Sequence, residues 1–458
     1  MKILFYIITF LFFSIELPFL TSIGVLYFIF SLSSLIQSLG KKIPFIELTI
    51  FLTVLQIILS PILEYRIFHN EIFGIMKIDE IDYLSYVIPA TMLFHFGLII
   101  GVGKYEILFK DKVLATFVDN SSLYIRRGKI LIFTGILFTI LIKFSVIPSI
   151  GFILVLFSLL QFLGFFYLWL AASNHLPFYF GIVFIPFFLE ALSSTIFINV
   201  IVWGIFLYSF YLAKNKVNIF RISFFIIFAF SFLIIFQSIK YDYRKEVWGG
   251  SNTEASSVEN IILLSNLFYK KISNLNSDEL KLVGSVVNVR FNQGWIISDI
   301  MKNISTSEKE QGFKYLGPEV VGILLPRFLF PNKIRMDDNN KFTEYAGWTL
   351  GKNVSMDLGI AGDGYGAFGL KGGILFCGIV GFLFGLIFAL ANKQVKKNPD
   401  IFIFNMLIFF YLMRAGNEFS IIANWIVKAS IFTFVILILM NHKNIRSILL
   451  KPKERKFV

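Results

Sequence analysis

Apolar residues in this chain come in long unbroken runs, many of about 17 residues or more, the length a helix needs to cross a bilayer. The runs fall near residues 2–18, 20–38, 43–63, 81–102, 128–146, 148–172, 177–194, 195–212, 219–239, 364–390, 401–415 and 419–440. They are too long and too continuous for barrel strands. Backbone groups in lipid must bond internally, so helices are the expected form. The pattern predicts an all-α polytopic integral membrane protein of about twelve transmembrane helices with one large extracytoplasmic loop. The first pair of runs and the pair around residue 195 are short and crowded, which leaves a re-entrant hairpin open for one of them. The opening MKILFYIITFLFFSIELPFL has a lysine and an apolar core but no A-x-A-like cleavage pattern, so an uncleaved first span is expected.

Composition agrees. The chain has 458 residues, of which 57% are hydrophobic and only 16% charged, too few for a soluble domain of this size. Lys and Arg in the connections set the orientation. With the N-terminus inside, the cytoplasmic connections are Gly40-Lys41-Lys42, the 103–127 segment, 213–221, 391–398 and the basic tail 441–458. The domain division is then an N-terminal bundle of about nine helices (1–239), the outer segment (240–363), three closing helices (364–440) and the tail. The outer segment carries 15 basic and 15 acidic residues, so the net charge of +13 resides elsewhere, mostly on the inner face. Anionic lipid headgroups account for it better than nucleic acid, which is not an expected partner. The single cysteine, Cys377, lies in an apolar run, and His69, His95, His175 and His442 form no spaced pair. Neither a metal nor a cofactor is expected.

Within the outer segment, 260–272 reads as an amphipathic helix for the membrane surface. A second helix is expected over 277–304, opened by a capping pattern at Ser277 and Glu279. Pro326 and Pro331 then bend the chain amid Arg327, Lys333 and Arg335. The glycine-dense GDGYGAFGLKGG (362–373) lacks the spacing of a phosphate loop, so ATP binding is not indicated. Two readings stand for it, a flexible lead-in to the next span or a backbone lining for a site. Trp248, Trp295 and Trp348 are either sugar-stacking faces or interfacial anchors.

Arg414 stands between two apolar runs, in Arg414-Ala-Gly-Asn417-Glu418. One reading is a snorkelling arginine paired with Glu418 four residues on. The other makes this polar patch the floor of an outward-facing cavity at the outer end of its span. On the second reading Arg290, Arg327, Lys333 and Arg414 share one side of the membrane, and their guanidinium forks suit a lipid diphosphate.

The segments IKYDYRKEVW (239–248), VRFNQGW (289–295), LLPRFLFPNK (324–333), GDGYGAFGLKGG (362–373) and MRAGNE (413–418) occur in an order that resembles the bacterial Wzy-like O-antigen and repeat-unit polymerases. The likeness covers most of the chain: many helices, one large late outer loop, then a few closing spans. It implies a glycosyltransferase of the inner membrane, acting at its outer or periplasmic face. Such enzymes take undecaprenyl-diphosphate-linked oligosaccharides as donor and acceptor, and work with a flippase and often a chain-length regulator. The donor glycan moves to the non-reducing end of a lipid-linked acceptor. By the same resemblance Arg290 and Arg414 are the expected catalytic cations. Arg327, Lys333 and Arg335 lie near the lipid headgroup, and Gln293, Trp295, Tyr365 and Asn417 near substrate. Asp363, Glu344 and Glu418 are candidates for receiving the acceptor's proton. A glycan ligase would share this site with another acceptor. A transporter or flippase is the reading of another class, and no internal repeat supports it.

Overall fold

The computed structural model describes residues 13–14, 17–68, 75–144, 148–194, 198–215, 239, 257–273, 277–307, 310–324, 339–351 and 356–441. Every described regular element is helical. Six helices are long and apolar enough to cross a membrane: α1 Phe19–Ser38, α2 Phe45–Phe68, α3 Glu80–Val102, 151–170 within α6, α14 Gly359–Val395 and α16 Phe419–Asn441. Between them run α4 Lys112–Asp119, α5 Ser121–Phe144, α6 Pro148–Leu170, and the shorter apolar α7 Leu176–Ser194 and α8 Ile198–Lys214. The outer segment supplies α9 Ser257–Ser273, α10 Ser277–Phe291, α11 Gly294–Ser307, α12 Leu316–Leu324 and α13 Asn339–Ala346; α15 is Asp400–Ile408. The chain is thus an all-α, multi-pass membrane protein. Most of the runs at 2–18 and 219–239, the tail from 442 on and the Pro326–Pro331 bend lie outside the described residues.

Two helices far apart in sequence form the spine. Along the contact of α3 with α14, a Cβ at Gly97 would overlap the Gly378 carbonyl, and one at Gly101 the Phe382 carbonyl. Gly381 and Gly385 sit in the same way on the carbonyls of Phe94 and Leu98. The paired positions rise together, so the helices run parallel. In lipid, where apolar surface alone gives no drive to associate, such close backbone approach supplies the attraction by dispersion. α5 and α6 pack antiparallel by the same device, with Gly128 against Gly164.

The loops that the charge pattern assigns to one side do meet at one end of the bundle. Lys42 binds Glu47 at 2.6 Å and Glu106 at 2.5 Å, Asn392 Nδ2 donates to the Tyr105 carbonyl at 2.8 Å, and Arg127 binds Asp400 at 2.7 Å. At the other end Arg66 pairs with Glu80 at 2.6 Å, and the outer segment docks there.

That docking uses two π-type turns in α2, at Leu55–Leu59 and Glu64–Phe68. Such turns loosen the regular carbonyl ladder. Pro61 also has no N–H for the Ile57 carbonyl, which accepts the Tyr83 hydroxyl at 2.8 Å instead. The Gln56 carbonyl takes the Gln293 N–H at 3.0 Å, and the Ser60 carbonyl takes Asn288 Nδ2 at 3.0 Å. These bonds hold an elbow that the sequence pattern does not predict. The expected single helix over 277–304 breaks at Asn292-Gln293, where the Asn292 side-chain carbonyl accepts the Trp295 N–H at 3.2 Å.

Adding a methyl at the spine should cost stability where the same change elsewhere does not. Gly381→Ala should lower the unfolding temperature in detergent, by an overpacking cost on the order of 1–3 kcal/mol. Gly204→Ala, where a Cβ meets nothing within 4 Å, should be neutral or mildly stabilising. Equal behaviour of the two would contradict the packing account.

Candidate functional site

The glycine-dense run is helical on both sides of a reversal rather than a plain lead-in. At Gly369 the backbone turns to φ 64°, which favours glycine, and the chain reverses. Residues 359–368 form a half-helix that folds back on the start of 370–395. Gly364 lets the two approach, since a Cβ there would lie 2.9 Å from the Gly373 carbonyl. The half-helix holds Asp363 fully buried, where its Oδ2 accepts the Phe419 N–H at 3.1 Å and caps α16.

Asp363 belongs to a buried charge cluster centred on Lys341 of α13. The Lys341 Nζ lies 2.6 Å from Asp363, 2.9 Å from Glu319 of α12 and 3.3 Å from Glu418. Ser420 Oγ donates to Glu418 at 2.9 Å. Exposures of Lys341, Glu319, Asp363 and Glu418 are 2, 2, 0 and 5%, so water screens none of these charges. One ammonium faces three carboxylates, and full ionisation would leave two negative charges dehydrated. A proton is the cheapest remedy. Burial, then repulsion from Asp363, pushes the Glu319 carboxyl up to about 7 against the pull of Lys341. Burial works against the Lys341 charge, but its three carboxylates outweigh it and hold the ammonium well above its usual value.

Arg414 stands beside this cluster in a different setting. After α15 the chain tightens into a 3₁₀ turn, Phe410–Met413, and then loses helical form until Phe419. Asn417 Nδ2 braces the turn by donating to the Tyr411 carbonyl at 3.0 Å. The Arg414 guanidinium lies over Tyr411, 4.5 Å from its centroid, and an Nη donates to Asn199 of α8. Of the two readings of Arg414, the pair with Glu418 is not formed: the intervening backbone is not helical, the four-residue spacing brings nothing together, and Glu418 turns to Lys341. The helical stretch that leads to Arg414 is also shorter than a full span. From Asp400 to Met413 the rise is about 20 Å, against roughly 30 Å for the hydrocarbon layer. Arg414 lines a small cavity between α2, α3, α14 and α16. Irregular backbone in a membrane is tolerated where protein encloses it.

The remaining predicted residues are placed as follows. Gln293 approaches the Arg414 turn: a Cβ at Gly416 would lie 3.3 Å from its Oε1. Arg290 is exposed in the last turn of α10, and no described ion pair or hydrogen bond links it to Arg414. Trp295 stacks on Trp348, with centroids 5.9 Å apart, and Trp348 Nε1 donates to Asp299 at 2.9 Å. Tyr365 is buried edge-on against Tyr86, and Glu344 pairs with Lys314. Arg327, Lys333, Arg335 and Trp248 lie outside the described residues. Lys341, Glu319 and Asn199 are the members that the sequence reading passes over. Glu319 carries a usable signal, a lone carboxylate in the apolar stretch Gly317-Pro-Glu319-Val-Val-Gly-Ile-Leu. Among the described residues no grouping of His, Cys, Asp or Glu has the form of a metal site. No family model, curated protein or solved structure matches this chain.

Removing the ammonium strands its carboxylates, so Lys341→Met should destabilise by about 3–5 kcal/mol in detergent unfolding. Glu319 binds its proton more tightly folded than unfolded. Its contribution to stability is complete below the ordinary carboxylate range and is lost as pH rises through about 7. The unfolding temperature should fall between about pH 5 and pH 8, and Glu319→Gln should flatten that slope. A wild-type profile that rises across this window would refute the shared proton.

Proposed function

We propose that the chain is a polyprenyl-diphosphate-dependent glycosyltransferase of the bacterial inner membrane that joins lipid-linked oligosaccharide repeat units into a surface polysaccharide. The observation that carries this reading is Arg414: a guanidinium held beside a cavity whose walls are mostly apolar and adjoining a carboxylate cluster. A lipid diphosphate needs an apolar channel for its chain and a fixed cation for its head, and the leaving group carries its own activation. As the bond from the donor's anomeric carbon to the diphosphate breaks, negative charge grows on the departing oxygen. A positioned guanidinium stabilises that charge. The hydroxyl at the acceptor's non-reducing end forms the new glycosidic bond, polyprenyl diphosphate leaves, and the hydroxyl's proton passes to a carboxylate.

Asp363 and Glu418 are the carboxylates nearest this step, and Lys341 holds both. Arg290, with Arg327, Lys333 and Arg335, belongs in this reading to the outer segment's grip on the headgroup. Gln293, beside the Arg414 turn, and Trp295, Tyr365 and Asn417 are assigned to the saccharide side. In this reading the site belongs to the outer face, where a flippase would deliver the lipid-linked units and a chain-length regulator would meet the growing polymer.

The test is purified protein with lipid-linked repeat units. Product should grow in steps of one unit, and Arg414→Ala should lower the rate about 10²–10³-fold, the usual cost of one preorganised charge donor, while the protein stays folded. Transfer of finished glycan to a different acceptor would make it a ligase. Wild-type rates in both Arg414→Ala and Arg290→Ala would remove the site.

A further inference from the structure

The cavity beside Arg414 contains a second polar group that the charge cluster does not use. Thr91 of α3 is buried, at 3% exposure, and lines the same cavity. Its Oγ1 has no hydrogen-bond partner among the described residues, and neither has Arg414 Nε. A threonine in a membrane helix ordinarily returns its hydroxyl to the carbonyl one turn back. Thr49 does so to Phe45 at 2.8 Å, Thr53 to Thr49 at 2.7 Å and Thr139 to Gly135 at 2.9 Å. Thr91 does not. Thr433 also lacks a partner, but it does not line this cavity. The other polar lining groups are engaged: Thr53 as above, and Cys377 Sγ with the Ile360 carbonyl at 3.8 Å. Elsewhere the wall is apolar, with Ile57, Phe94, Ile360 and Ile422.

Two unsatisfied donors thus belong to residues that line one space. The cavity measures about 20 Å³, which admits one oxygen-sized group. Leaving a hydroxyl buried and unpaired is destabilising, and a valine of the same shape would avoid that cost.

We propose that Thr91 and Arg414 together form an oxyanion seat for one phosphoryl oxygen of a lipid-borne diphosphate. The Thr91 hydroxyl and Arg414 Nε both donate to that oxygen, while the rest of the headgroup and the isoprenoid lie outside this small space. This rests on the functional reading above, and it adds a residue in a different helix to substrate binding. Preference for a lipid phosphate over the free anion comes from the isoprenoid, which gains apolar burial among the helices that the free anion cannot.

The experiment is binding to full-length purified protein of two probes, a C55 polyprenyl diphosphate and inorganic pyrophosphate, with unfolding temperature recorded in parallel. A hydrogen bond to a charged group predicts that Thr91→Val weakens polyprenyl diphosphate binding roughly tenfold or more. Its unfolding temperature should hold or rise, and Thr91→Ser should bind as wild type does. Inorganic pyrophosphate should bind far more weakly to every form. Thr91→Ala supplies a second hydroxyl-free variant if valine disturbs the packing. Wild-type binding in Thr91→Val overturns the seat. So does a loss of binding that only accompanies a fall in unfolding temperature in both hydroxyl-free variants. Equal binding of the two probes overturns the lipid assignment. If Arg414→Ala also binds normally, the proposed function falls too; if it alone loses binding, that function stands without Thr91.

Discussion

A charge taken out of water must find its opposite or give up its ionisation, and much of this site follows from that rule. Lys341 draws Glu319, Asp363 and Glu418 into one dehydrated cluster. The three acids come from a helix of the outer segment, a folded-back half-helix and the turn before the last span. None could stay buried and ionised without the ammonium. The cluster therefore fixes where the outer segment closes on the bundle, and it places the Arg414 turn relative to the half-helix.

The second constraint is that backbone in a membrane cannot remain unpaired. The turn at 414–418 is enclosed by neighbouring helices and braced by the Asn417–Tyr411 bond, and beside the reversal at Gly369 the carbonyls of Gly366 and Ala367 accept the N–H groups of Gln311 and Gly312 at 3.1 and 2.8 Å. Glycine makes this geometry accessible. At Gly364 it admits the half-helix, and along the α3–α14 contact it brings two distant helices to backbone distance.

Much of the bundle was legible because apolar run length is a one-dimensional signal. The runs at 20–38, 81–102 and 419–440 fall within a residue or two of α1, α3 and α16. The sorting of basic loops to one end was legible for a similar reason, since charge bias accumulates along the chain. What was not legible depends on tertiary contact. The break at Asn292 arises from carbonyls on α2, 200 and more residues away. The partner of Glu418 is Lys341 because a loss of helical form cancels the local spacing. Thr91 looks like any membrane-helix threonine until the cavity beside it is known. Asp363 and Glu418 were singled out from sequence, but their connection runs through a lysine in an otherwise unremarked eight-residue helix.

The seam between α2 and the α10–α11 elbow bears on how the chain is made. The Ser60 carbonyl accepts from Asn288, 228 positions later, and the carbonyls of Gln56 and Ile57 also take donors from outside their own helix. A nascent chain entering the membrane from its N-terminus must carry this loosened helix, with those acceptors waiting, until most of the protein has been synthesised. Completion of α2 is thus a late event of biogenesis, timed by the synthesis of α10 and α11.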